Sequence, residues 1–107
     1  MCGIAGIYSS GEPIHPRLEE ACQSMMEALL HRGPDAHGLY RSAELLLGHR
    51  RLSIIDPSHS ADQPLSNEEG TIWLACNGEI YNYRDLRDQL IRGGHRFKSH
   101  TDSEVIL

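Results

Sequence analysis

No apolar run in this chain approaches the roughly 20 residues needed to cross a bilayer, which excludes a membrane-spanning helix. The start has no cationic region and only a very short apolar run, so a secretory leader is not expected. Positive charge is in short supply. Ten Lys and Arg against fifteen Asp and Glu give a formal charge of −5, which leaves no electrostatic footprint for nucleic acid. The arginines sit among acids, as in Arg84-Asp85-Leu86-Arg87-Asp88, and read as a solvated helix face. Cys2, Cys22 and Cys76 are odd in number and widely spaced, which argues against a disulfide framework and fits a reducing cytoplasm. There is no Cys-x-x-Cys, and the seven histidines show no ligand spacing, so no metal is assigned. Internal repeats, low-complexity segments, linkers and a glycine-rich phosphate cradle of the Walker kind are also missing.

What remains is enough for one small soluble domain with a modest core. The chain has 107 residues, of which 39% are hydrophobic and 23% charged. Residues 3–8 read as a short strand whose small residues imply close backbone approach. Residues 16–31 read as a helix. Leu18, Ala21, Cys22, Met25, Met26, Leu29 and Leu30 form one apolar stripe, with Pro16 in the first turn and Gly33-Pro34 as the stop. Cys22 and both methionines of the stripe are assigned to the core. Residues 37–40, 44–50 and 71–76 read as strands, the last covered on both faces because its apolar run is nearly continuous. Asp56-Pro57 and Gln63-Pro64 mark turns or irregular loop between them. A second helix is expected over 83–92, capped by Asn82 and ended by Gly93-Gly94. Thr101-Asp102-Ser103-Glu104 has the form of a capping box opening a third helix.

The chemistry starts at residue 2. Aminopeptidases that trim the initiator Met favour a small second residue. Trimming here leaves Cys2 with both a thiol and a free α-amine. An α-amine titrates at roughly 7.7–8.0 and an ordinary thiol at about 8.5, so near neutral pH the amine can take the thiol proton. The residue then carries its own general base.

Further unusual segments follow in order: His31-Arg32-Gly33-Pro34-Asp35, Arg51-Leu52-Ser53-Ile54-Ile55-Asp56, Asn77-Gly78-Glu79-Ile80-Tyr81-Asn82 and Thr101-Asp102-Ser103-Glu104. With Cys2-Gly3-Ile4-Ala5-Gly6 in front, the chain closely resembles the class II glutamine amidotransferase domain from residue 2 to residue 107. The forms Arg-Leu-Ser-Ile-Ile-Asp and Asn-Gly-Glu-Ile-Tyr-Asn resemble those of its asparagine synthetase branch.

The resemblance implies an α+β fold, the Ntn-hydrolase four-layer αββα sandwich, here as an incomplete N-terminal portion. It also implies hydrolysis of the glutamine side-chain amide to glutamate and ammonia. Cys2 takes the place of the nucleophile. The Asn77 side-chain amide and the Gly78 backbone N–H take the place of the oxyanion hole, where each donor contributes ~3–4 kcal/mol. Asn-Gly is equally the signature of a tight turn, and the two roles are compatible. Arg51 matches the Arg that binds the substrate α-carboxylate, a partner suited to a planar fork. Arg50 falls on the opposite strand face and is expected to be solvated. Asp102 matches the acid that receives the α-ammonium, with Glu79 and the Gly78 carbonyl nearby. As a first-turn acid it also complements a helix dipole. Leu52 and Ile54 match residues whose backbone carbonyls hold substrate. His31, Arg32 and Asp35 are expected near the site in structural roles.

In the family, ammonia passes to an ATP-dependent synthetase domain that adenylates aspartate through a Ser-Gly-Gly-x-Asp-Ser type loop. No such loop occurs here, so no cofactor is expected for this portion, and ATP and Mg belong to the absent domain. Glutamine is the expected ligand, and a homodimer is left open. The family's domain is considerably longer than this chain, so an isolated 107-residue product is expected to be marginal or aggregation-prone. Two alternatives stand beside this reading. One keeps the chemistry with another acceptor, of asparagine synthetase-like, amino-sugar or nucleotide type. The other is an inert truncated or regulatory fragment, which a retained Met1 would favour.

Overall fold

The computed structural model describes all residues from Met1 to Leu107. Three antiparallel strands form the main sheet: β1 (Gly3–Tyr8), β2 (Ala36–Arg41) and β3 (Leu45–Arg51), in the order β1-β3-β2. The register pairs Gly3 with Arg50 and Tyr8 with Leu45 on one side of β3, and Ala36 with Arg51 on the other. Helix α1 (Pro16–Ala28) lies on one face of this sheet. A two-residue ladder joins β4 (Leu65–Ser66) to β5 (Trp73–Leu74). Helix α2 (Tyr83–Arg92) and a short 3₁₀ turn at Ser103–Ile106 complete a small α+β architecture.

The core is the contact between α1 and the sheet. Ala5, Ile14, Cys22, Met26 and Leu46 are buried there, with Ile7, Leu18, Leu29 and Leu39 packed around them. Small residues set the approach distance, as residues 3–8 implied. A Cβ on Gly3 would lie 2.9 Å from Leu29 Cβ, and one on Gly48 would lie 2.4 Å from Met26 Sδ. The molecule measures 18 Å across its shortest dimension, about the thickness of one helix layer on one sheet. Part of the second sheet face is therefore uncovered, and Ile4 and Tyr8 are 43% and 67% exposed on it.

Several expectations are corrected. Helix α1 ends at Ala28 rather than at residue 31. Arg50 Nε donates to the Met26 carbonyl at 3.0 Å, and His31 Nδ1 lies 3.0 Å from the Ala28 carbonyl. These side chains occupy carbonyls that a continuing helix would use, so the chain tightens into turns. Arg50 does face away from Arg51, but it is half-buried and caps a helix rather than standing in solvent. Met25 is 42% exposed. Cys22 and Met26 are the buried centre of the stripe, Leu18 and Leu29 pack beside them, and Met25 lies at its solvent edge.

Strand β5 has two paired residues, not the six expected over 71–76, and its residues are half-buried rather than covered on both faces. Helix α2 has the predicted bounds, but Asn82 makes no side-chain cap. Gly94, at φ 96°, supplies the left-handed residue that ends it. The capping box does not form. Glu104 instead accepts from the Lys98 and Ser99 amides at 2.7 and 2.9 Å and from the Ser99 hydroxyl. Several donors on one buried carboxylate outweigh a single reach-back bond to the Thr101 amide.

Candidate active site

Cys2 directly precedes β1, and the Gly3–Arg50 pairing carries it to the end of β3. Its Sγ accepts from the Leu52 amide at 3.3 Å and is 3.8 Å from the Leu52 carbonyl. Arg32 Nε donates to the Cys2 carbonyl at 3.1 Å, which fixes the backbone beside the thiol. Asp35 Oδ2 accepts from the Ser53 amide at 2.7 Å and holds the segment after β3. The structural roles expected for Arg32 and Asp35 are thus visible as contacts. Met1 precedes Cys2 at the mouth of the cavity and is 71% exposed, open to a peptidase.

Arg51 is the last residue of β3, and its side chain is 7% exposed. One guanidinium nitrogen, Nη1, donates to the Ser58 carbonyl at 2.7 Å and to Asp62 Oδ1 at 2.6 Å. Nε and Nη2 have no protein partner, so two nitrogens of the fork, with three N–H groups, remain for a ligand. Burial pushes the Asp62 carboxyl up, but the His59 and Arg51 bonds outweigh it and hold it below the ordinary carboxylate range. Asp62 therefore stays ionised beside Arg51.

Asn77, Gly78 and Glu79 are exposed, and contacts on either side define their path. Upstream, the Cys76 amide donates to Gln63 Oε1 at 2.6 Å, and the Cys76 carbonyl lies 3.1 Å from His49 Nε2. Downstream, the Ile80 amide donates to Asp102 Oδ2 at 2.7 Å. Burial drives the His49 imidazole below its ordinary value, against the Cys76 bond, which favours the charged form. A neutral ring donating through Nε2 fits these contacts, and Nδ1 is then a buried acceptor without a partner.

Asp56 ties this half of the site together. It accepts from the Ser58 amide and hydroxyl at 2.9 and 2.6 Å and from the His100 amide at 2.9 Å. These bonds, the Ser58 hydroxyl first, lower its carboxyl to about 2. The loop after β3 is thereby joined to the segment that carries Asp102.

Cys2, Arg51, Leu52, Ile54, Asn77, Gly78, Glu79 and Asp102 all line one cavity of about 330 Å³. Every residue expected to touch the substrate lies in this lining, whereas His31, Arg32 and Asp35, expected near the site, lie outside it. The same cavity is lined by residues to which the sequence gave no site role, among them Asp56, Gln63, Cys76 and Thr101. The only sequence signal near Gln63 is the turn marker Gln63-Pro64. The inward aim of a polar side chain in an irregular loop leaves no periodic trace. Asp102 is 4% exposed, so a buried carboxylate faces a cavity that also holds a buried guanidinium and a thiol. No group of three or more His, Cys, Asp or Glu is arranged to hold a metal ion. No helix is long and apolar enough to cross a membrane.

A small cavity that holds the Cys2 thiol, a cation with free donors and acidic groups is complementary to a zwitterionic amino acid bearing an electrophilic side chain. The chain belongs to the glutamine amidotransferase domain family, whose model matches residues 1–107. It is 46% identical over its whole length to a probable glutamine-hydrolysing asparagine synthetase of Dictyostelium discoideum. It is 41% identical, again over its whole length, to asparagine synthetase 1 of Bacillus subtilis. Over 99% of its length it is 42% identical to asparagine synthetase 1 of Arabidopsis thaliana. The chain spans only 19%, 17% and 18% of these relatives, respectively.

Proposed function

We propose that this chain hydrolyses the side-chain amide of glutamine, with Cys2 as nucleophile. In the protein at its natural length, the ammonia serves ATP-dependent synthesis of asparagine from aspartate. The observation that carries this reading is the convergence of Cys2, Arg51, Asn77, Gly78 and Asp102 on one cavity. After removal of Met1, the Cys2 α-amine takes the thiol proton, and Sγ attacks the amide carbon. The developing oxyanion is met by the Asn77 side-chain amide and the Gly78 N–H. The proton held by the amine passes to the leaving nitrogen, and ammonia departs. Water then hydrolyses the thioester to glutamate, with the same amine as base. Arg51 receives the α-carboxylate through Nε and Nη2. Asp102, with Glu79, receives the α-ammonium, and the Leu52 and Ile54 carbonyls border the bound chain.

The four-layer Ntn sandwich belongs to the same proposal: a further sheet covers the face that exposes Ile4 and Tyr8. So do ATP and Mg in a synthetase domain, a cytoplasmic location and a homodimer. The reading is tested by glutamate release from glutamine. Cys2→Ser is expected to lower turnover at least about 10³-fold. Arg51→Lys is expected to raise KM for glutamine about tenfold or more with a smaller change in kcat. Full turnover by Cys2→Ser would refute the assignment, and so would full turnover by a form that retains Met1.

A further inference from the structure

We infer that Gln63 and His49 are positioning residues that together grip the Cys76 peptide and thereby set the aim of Asn77 and Gly78. The inference rests on the glutaminase reading. Its physical basis is a gap in the backbone ladder. The β4–β5 pairing ends at Leu74, and Asn77, Gly78 and Glu79 are exposed. No neighbouring strand continues the pairing to Cys76. Two side chains take its place, one on each backbone group of that residue. Gln63 Oε1 accepts the amide at 2.6 Å, and His49 Nε2 meets the carbonyl at 3.1 Å.

Both side chains are themselves fixed. His49 is fully buried in β3, and Gln63 is 7% exposed. The Gln63 backbone is seated against β2 at Gly38, where a Cβ would lie 2.3 Å from the Gln63 carbonyl oxygen. The grip thus ties Cys76 to the sheet that carries Cys2 and Arg51. Oxyanion donors help only when they are preorganised toward the position that the charged oxygen reaches. A donor pair displaced by an ångström can lose about 100-fold in rate. Arg51 and Asp102, which hold the two charged ends of glutamine in this reading, receive no hydrogen bond from Gln63 or His49. Loss of the grip therefore acts on the chemical step more than on ground-state binding.

The test compares Gln63→Met, His49→Leu and His49→Gln in the protein at its natural length. The first two delete the acceptor and the donor, and the third restores a donor near the position of Nε2. Glutamine kcat and KM are measured beside the rate of Cys2 alkylation by iodoacetamide, which forms no oxyanion. Gln63→Met and His49→Leu are expected to lower kcat about 10- to 100-fold, with KM and alkylation within about twofold of the parent. His49→Gln is expected to recover much of the loss. Unchanged kcat in both deletion variants would overturn the inference. A joint collapse of kcat, KM and alkylation would also overturn it, because that marks general structural support. A parent protein without glutaminase turnover would overturn the glutaminase reading itself.

Discussion

Replacing Asp56 by Asn should reveal how much of this fold depends on one buried carboxylate. The side chain receives two bonds from Ser58 and one from the His100 amide. Together they move its titration from an ordinary 3.8 to about 2. At 1.36 kcal/mol per pKa unit, this corresponds to about 2 kcal/mol of stability from ionised Asp56. Asp56 borders the open cavity, so solvent screening makes this figure an upper bound. Asparagine is near-isosteric but must turn its NH₂ toward a donor, which leaves at least one bond unmade. The sign follows from the depressed value. The contribution is fully present above 3.8, declines as pH falls, and is gone below about 2. Denaturant titrations at several pH values, followed through Trp73, the single tryptophan, would measure it. The expected gap between parent and Asp56→Asn is about 1–2 kcal/mol at pH 7, shrinking below pH 4. A gap under about 0.5 kcal/mol at pH 7, or one that persists unchanged at pH 2, would show that ionised Asp56 does not stabilise the fold.

Two further outcomes follow from other buried contacts. His49, lowered by burial, should not titrate near 6.5 in an NMR experiment. Because the unfolded chain takes up that proton first, His49 should make stability fall as pH drops below about 6.5. An ordinary imidazole titration would count against the buried neutral ring. Gly33→Ala would place a Cβ 2.3 Å from the Arg50 carbonyl carbon and 2.5 Å from the Arg51 nitrogen. The obstacle is backbone, which cannot rotate away, so a loss of about 2 kcal/mol or more is expected. A thermal midpoint equal to the parent's would contradict it.

The sequence alone determined the elements with strong local periodicity and the identity of the chemical groups. The 83–92 helix, the first strand and the start of α1 follow from apolar spacing, Pro16 and Gly94. These are signals that act within a turn or two of chain. The pocket-lining set from Cys2 to Asp102 was also legible, because its residues sit in short ordered motifs that resemble a known family. Tertiary structure decided the rest, for reasons that act at long range. Helix α1 stops early where Arg50, on a distant strand, takes the Met26 carbonyl. The capping box gives way because Glu104 finds several donors in the preceding loop. The apolar run at 71–76 pairs over only two residues, and the grip of Gln63 and His49 on Cys76 takes over where the ladder ends. In each case a buried polar group must find a partner, and only the folded chain says which partner is within reach.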